Sequence, residues 1–347
     1  MAKVDIFSGF LGAGKTTLIR KLISEAYEDE KIVLIENEFG EIGVDSGFLK
    51  DTGVQINEMN SGCICCTLVG DFGRALNEVI DTYDPDRILI EPSGVGKLSD
   101  VIIAVQDLKN DRIELNGFTT VVDAKKARVY MTNFGEFYQN QVEHASSIIL
   151  SHTDGLSQQK LDKCIELLRK YNDHAAIVTT PWDQISGKAI LETMEQKKTL
   201  SAELDKLREE AYAHEAEHHH HDHEHHHDHD HDHDHDHDHD HDHHHHDHDH
   251  HGHHHADEVF DEFGVYTAHK FTAEQIEEAL KALSSFGEYG QVLRAKGIVE
   301  GEDGQWIHFD YVPGEPEVRT GSAETTGLIC VIGVGLDKEA IEELFGL

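Results

Sequence analysis

The nine residues Gly9-Phe10-Leu11-Gly12-Ala13-Gly14-Lys15-Thr16-Thr17 constrain the fold of this chain more than any other stretch. They satisfy the G-x-x-x-x-G-K-[ST] pattern. They stand between an apolar run at 3–8 and a segment in which Leu18, Ile19, Leu22 and Ile23 recur at helical spacing. A strand, a glycine loop and a helix in that order form a phosphate cradle. The glycines let successive backbone N–H groups converge on an anion, the helix N-terminus adds the positive end of its dipole, and Lys15 meets the β and γ phosphates. Thr16 is the expected hydroxyl ligand of Mg²⁺. Gly9, Gly12, Ala13, Gly14, Lys15, Thr16 and Thr17 are thus the first expected nucleotide contacts.

The strand-helix alternation continues, with apolar strand candidates at 31–35, 87–90, 118–122, 147–150 and 176–179. This pattern implies an α/β fold with a mainly parallel sheet and helices on both faces. Residues 1–186 are read as this nucleotide domain, followed by a connecting helix at 187–213 in which Leu200, Leu204 and Leu207 keep helical spacing. A His/Asp-rich segment fills 214–255, and 260–347 reads as a small α+β domain. In that last part a strand is expected at 262–270, a helix at 272–284, strands at 293–299, 306–311 and 328–334, and a short helix from Asp337. Cys164, on the apolar stripe of a helix, and Cys330, on an apolar strand, read as core thiols.

Charge narrows the partners. The 347 residues hold 29 basic and 68 acidic side chains, a formal net of −39, which argues against nucleic acid or an anionic membrane surface as partner. The opening residues run straight into the glycine loop and leave no room for a signal peptide. No apolar run approaches the ~18 residues of a membrane span. A cytoplasmic location is therefore expected. Five cysteines, three of them within four positions, fit metal thiolate better than a disulfide framework.

Arg87-Ile-Leu-Ile-Glu91-Pro-Ser-Gly94 ends an apolar strand on a carboxylate, as a Walker B and switch segment does. Glu91 is expected to polarise the Mg²⁺ hydration shell or the attacking water, and the Gly94 amide to sense the γ-phosphate. Lys15, Thr16, Glu91 and Gly94 form the expected catalytic set. Ser151-His152-Thr153-Asp154 follows the 147–150 strand, where a base-reading loop would lie. Asp154 can accept from two guanine N–H groups, which favours GTP, while His152 replaces the lysine usual in GTPases and can stack on the base.

Cys63-Ile-Cys65-Cys66 precedes a helical pattern. A helix N-terminus lowers thiol pKa values and favours the thiolate that binds Zn²⁺ and similar metals. Two of the three thiols can ligate together while other groups complete a tetrahedral site. Candidates for those groups lie in Glu36-Asn37-Glu38-Phe39-Gly40-Glu41.

These motifs in this order, with the histidine-rich linker and a small C-terminal domain, resemble the CobW-like metallochaperone GTPases, a SIMIBI-type branch of the P-loop proteins. The resemblance covers nearly the whole chain. It implies a GTPase with a metal site at Cys65, Glu36 and Glu41, with Cys63 and Cys66 as further ligands. It also implies a client apo-metalloprotein that receives the metal. His152 is the departure from the family pattern.

Between His214 and His255 stand 26 of the 31 histidines and 14 carboxylates, with no Lys or Arg. Without them the chain still has 29 basic against 54 acidic residues, a net of −25. Such a segment cannot bury a core and is expected to be disordered without metal. From Asp228 to Asp242 Asp and His alternate strictly. In an extended chain His229, His231, His233, His235, His237, His239 and His241 would share one side, with carboxylates free to accept from their other ring N–H. The expected role is capture of several Zn²⁺, Co²⁺ or Ni²⁺ ions.

The resulting expectation is a GTP-driven carrier that delivers a transition metal, zinc first, to a client protein. An oligomer is compatible with it. Its rivals are a metal store with a vestigial nucleotide site, and a P-loop small-molecule kinase, which would explain neither the thiols nor the tract.

Overall fold

The computed structural model describes residues 1–27, 30–36, 55–58, 69–196, 259–284, 287–323 and 326–347, with backbone alone at 55–58 and 69–72. Among these are thirteen strands. The first seven are β1 (Ala2–Gly9), β2 (Ile32–Glu36), β3 (Gln55–Glu58), β4 (Arg87–Glu91), β5 (Ile113–Asp123), β6 (Ser147–Ser151) and β7 (Ala176–Val178). They form one sheet in the order β3-β2-β4-β1-β5-β6-β7. Every pairing in it is parallel.

The strands β2 and β4 are buried along their whole length, as apolar runs covered on both faces must be. Alternate residues divide between two cores. Val33, Ile35, Ile88 and Ile90 join the core under α3 (Leu98–Asp107) and α5 (Gly135–Glu143). Ile32, Leu34 and Leu89 join Leu18, Ile19 and Leu22 of α1 (Lys15–Glu25) and Ile190 and Met194 of α7 (Gly187–Met194). Helices α2 (Val69–Tyr83), α4 (Ala127–Asn133) and α6 (Gln158–Arg169) complete this part. Cys164 of α6 is buried, as its place on the apolar stripe predicts.

The helix expected to leave the nucleotide domain behaves differently. α7 ends at Met194 and packs into the core beside α1, because Ile190 and Met194 are fully buried there. Glu195, its C-cap residue, turns into a charged cluster at the N-terminal ends of the strands. In that cluster Arg87, 1% exposed, meets Asp5, Glu30 and Glu195, and Tyr27 lies under its guanidinium. Residues 197–213, and the His/Asp-rich segment with its seven alternating histidines, lie outside the described residues.

The C-terminal part contains β8 (Asp261–Thr267), β9 (Lys270–Phe271), α8 (Ala273–Ala282), β10 (Gln291–Gly301), β11 (Trp306–Val312), β12 (Glu315–Gly321), β13 (Gly327–Val334) and α9 (Lys338–Leu344). The sheet order is β12-β11-β10-β13-β8, with β9 beside β10. The strand expected at 262–270 is thus two: β8 pairs antiparallel with β13, and β9 parallel with β10. Thr272 and Gln275 form a capping box that fixes the start of α8.

Both faces of this sheet are covered. Ala295, Val299, Ile329 and Val331 pack with Ile276, Leu280 and Ile341 of α8 and α9. Ile298, Cys330 and Ile332, on the opposite face, belong to the core of the nucleotide part. The period-2 alternation of β10 and β13 therefore serves two cores at once.

Candidate functional site

The phosphate loop lies at the C-terminal edge of the parallel sheet, the usual place for ligands in such sheets. A cavity of about 550 Å³ opens there, lined by Gly12, Gly14, Lys15, Thr16, Thr17 and Arg20 of the loop and α1, by Glu91 and by His152. Its other wall comes from β10 to β12: Arg294, Asp310, Val312, Glu315, Pro316, Glu317 and Arg319. The volume falls within the range common for small-ligand sites, roughly 300–1,000 Å³.

Lys15 is 5% exposed and donates to the Gly9 carbonyl at 3.0 Å, with Glu91 Oε1 3.9 Å from its ammonium. Thr16 Oγ1 donates to the same Glu91 oxygen at 3.5 Å. A hydroxyl and a carboxylate at the head of α1 are hard oxygen donors, the kind Mg²⁺ prefers, so Thr16 and Glu91 fit the ion that accompanies a nucleoside triphosphate.

Gly94 lies against the loop. A Cβ there would sit 2.8 Å from Leu11 Cδ2 and 3.1 Å from the Leu11 backbone nitrogen, so a larger residue would push the 92–96 segment and the loop apart. Gln141 of α5, fully buried, donates to the Gly94 and Gly96 carbonyls at 3.0 and 2.8 Å and fixes that segment from behind.

Glu36 ends β2 and is the register partner of Glu91 on the adjacent strand β4. Both are buried. Neighbouring strands stand about 4.8 Å apart, so the first candidate metal carboxylate begins one strand away from the nucleotide-facing one. Cys63, Cys65, Cys66 and Glu41 lie outside the described residues. Among the described residues no group of three or more His, Cys, Asp or Glu side chains is arranged to hold a metal ion.

His152 follows β6 in the left-handed region, φ 53°, and lines the cavity. Asp154, two residues on, is exposed and does not line it; Gly9, Ala13 and Gly94 do not line it either. Sequence reasoning missed Trp182. Its ring lies 3.2 Å from where a Gly14 Cβ would stand, and its Nε1 donates to the Leu150 carbonyl at 2.9 Å. It is one of two tryptophans in the chain, which was the only available signal. The wall from β10 to β12 was likewise missed, since nothing local in those strands points to a site more than 270 positions upstream.

Residues 3–179 match the family described as CobW/HypB/UreG, nucleotide-binding domain, and residues 260–346 match the cobalamin synthesis protein CobW C-terminal domain. A relative named zinc chaperone YjiA, from Escherichia coli strain K12, is 36% identical over 183 residues, 51% of this chain and 56% of the relative. The zinc-regulated GTPase metalloprotein activator 1 of Schizosaccharomyces pombe is 30% identical over 192 residues, 52% of this chain and 46% of that protein. The chain spans about half the length of these curated relatives. Among solved structures, Zn(II)-bound YjiA GTPase from E. coli aligns at 21% identity and a TM-score of 0.41, over 99% of this chain and 98% of that one. No helix among the described residues is long and apolar enough to cross a membrane. With one family match covering half of its length and a second covering its C-terminal part, the chain belongs to the CobW/HypB/UreG family.

Proposed function

We propose that this protein is a GTP-hydrolysing metallochaperone: it holds a transition metal, zinc first with Co²⁺ or Ni²⁺ as alternatives, and passes it to a client protein when its nucleotide state changes. The observation that carries the reading is the register pairing of Glu36 with Glu91. Glu91 stands beside Lys15 and Thr16, and Glu36 opens the segment that leads toward Glu41 and the Cys63, Cys65 and Cys66 thiols.

On this reading Lys15 exchanges the Gly9 carbonyl for phosphate oxygens when GTP binds. Thr16 and Glu91 would hold Mg²⁺, whose charge would offset that of the phosphates. The 92–96 segment, gripped by Gln141, senses the γ-phosphate through the Gly94 amide. A shift of Glu91 is felt one strand away at Glu36, so the metal ligands loosen on hydrolysis and the metal is released. His152, which lines the cavity, would stack on the base, and Asp154, exposed beyond the cavity rim, would accept from the N–H groups of a guanine that extends past it. The names of the relatives, zinc chaperone and zinc-regulated GTPase metalloprotein activator, support the choice of zinc and GTP.

The test is a metal titration of the whole chain loaded with a non-hydrolysable GTP analogue and, separately, with GDP. The expected result is tighter Zn²⁺ binding in the triphosphate state. Equal affinities would remove the coupling and leave a metal store.

A further inference from the structure

The cavity at the phosphate loop has a second wall that neither the motif nor the family match to residues 3–179 contains. Register defines that wall. Lys296 stands opposite Asp310, Asp310 opposite Glu317, His308 opposite Arg319, and Val312 opposite Glu315. Side chains two apart on a strand share a face, so Arg294 joins Lys296 and Val312 joins Asp310. This is the face turned toward the nucleotide part, since Ile298 of β10 on the same face belongs to that core.

The two parts touch at the loop itself. The Val312 side chain presses on Gly12, where an added Cβ would lie 2.2 Å from Cγ1. Phe10, the second loop residue, has its ring 6.3 Å from that of Phe260 and stacks on Phe134 at 5.2 Å. Lys126 holds Glu315 at 3.3 Å. The loop is therefore packed from the C-terminal side and not only by its own helix.

Cations surround Asp310. Burial pushes its carboxyl up, but Arg294, Lys296 and Arg319 outweigh this and hold it below the usual carboxylate range. Arg294 is tied to Asp310 at 3.1 Å and is mostly buried, so its guanidinium is fixed in the wall. Arg319 pairs with Glu317 at 3.1 Å, and the side chains are 36% and 66% exposed. Both guanidiniums line the cavity across from the phosphate loop, Arg294 from β10 and Arg319 from β12. A guanidinium facing a phosphate gains a charge-assisted, planar two-point contact.

We propose that the C-terminal sheet supplies the second wall of the nucleotide site, with Arg294 and Arg319 as positioning residues that draw the phosphate tail against the loop. The nucleotide is then clamped between two parts of the chain. Occupancy is transmitted through Val312 and Phe260 to the C-terminal sheet. This rests on GTP binding at Gly9 to Thr17, and not on metal release.

The experiment is a titration of the full chain with a fluorescent GTP analogue at two salt concentrations, using wild type, R319A, R319E, the R294A/R319A pair and the R294K/R319K pair. The double alanine variant is expected to raise Kd about tenfold or more and to flatten the salt dependence. R319E should weaken binding more than R319A, and the lysine pair should recover much of the loss. Arg319 is exposed enough for its single variants to fold, which keeps the comparison informative if Arg294 variants are unstable. Wild-type Kd in R319A and R319E, or lysine variants as weak as alanine ones, would overturn the proposal. A wild-type chain that binds no GTP analogue would instead overturn the GTP reading on which it rests.

Discussion

Cys164 shows how one residue links helix periodicity to solution behaviour. Its place on the inner stripe of α6 buries it. That burial, followed by the charge of Asp123, pushes the thiol from 9.0 up to about 11. Below pH 9 the thiol is protonated in both folded and unfolded chains and its full contribution is present. Between 9 and 11 the unfolded chain ionises while the folded one does not, so stability falls as pH rises through that window. Two pKa units correspond to roughly 2–3 kcal/mol. Urea denaturation of wild type and Cys164→Ala at pH 8, 9.5 and 11 should show the steeper alkaline decline in wild type, with the cavity left by alanine adding a constant offset. Parallel declines would place the effect on other groups. At His152, by contrast, sequence shows the side chain and its departure from lysine, but not the left-handed backbone that turns it into the cavity.

At the scale of elements, the segment after β4 depends on α5. Gln141 satisfies two carbonyls of that segment, and its own carbonyl accepts from Thr120 Oγ1 at 2.5 Å. Gln141→Leu keeps the volume and removes both donors, leaving buried carbonyls unmet at about 1–3 kcal/mol each. The expected outcome is slower single-turnover GTP hydrolysis with GDP affinity nearly retained, because GDP lacks the phosphate the segment senses. A variant with wild-type hydrolysis would show that α5 does not position the segment. The strands β1, β4 and β6 and the helix α1 were legible in sequence because apolar runs and a glycine loop are local signals. β12, Glu-Pro-Glu-Val-Arg-Thr-Gly, was not: it is charged, mostly exposed and carries a proline, as edge strands often do. β3 is four residues at the other sheet's edge and gave no periodicity to read. The Gln141 grip and the Arg294–Arg319 wall depend on contacts between residues distant in sequence, which local pattern cannot disclose.

For the whole molecule, the question is whether the His/Asp-rich segment is part of the folded machine or an attachment to it. The two described parts hold each other directly, through Phe10 and Phe260, Gly12 and Val312, and Lys126 and Glu315. None of these contacts needs residues 214–255. Deleting that segment leaves 197–213 and 256–258 as connection, twenty residues able to span up to about 66 Å when extended. It also changes the formal net charge from −39 to −25, so the remaining chain repels itself less. The deletion variant is therefore expected to melt at or slightly above the wild-type temperature and to bind a GTP analogue with near wild-type affinity. Its Zn²⁺ content per chain, measured by elemental analysis after dialysis, should fall by several ions while the share attributed to Cys63, Cys65 and Cys66 is retained. Unchanged stoichiometry would show that the histidines capture no metal. Loss of nucleotide affinity would show that the segment supports the site after all, against the direct packing of the two parts.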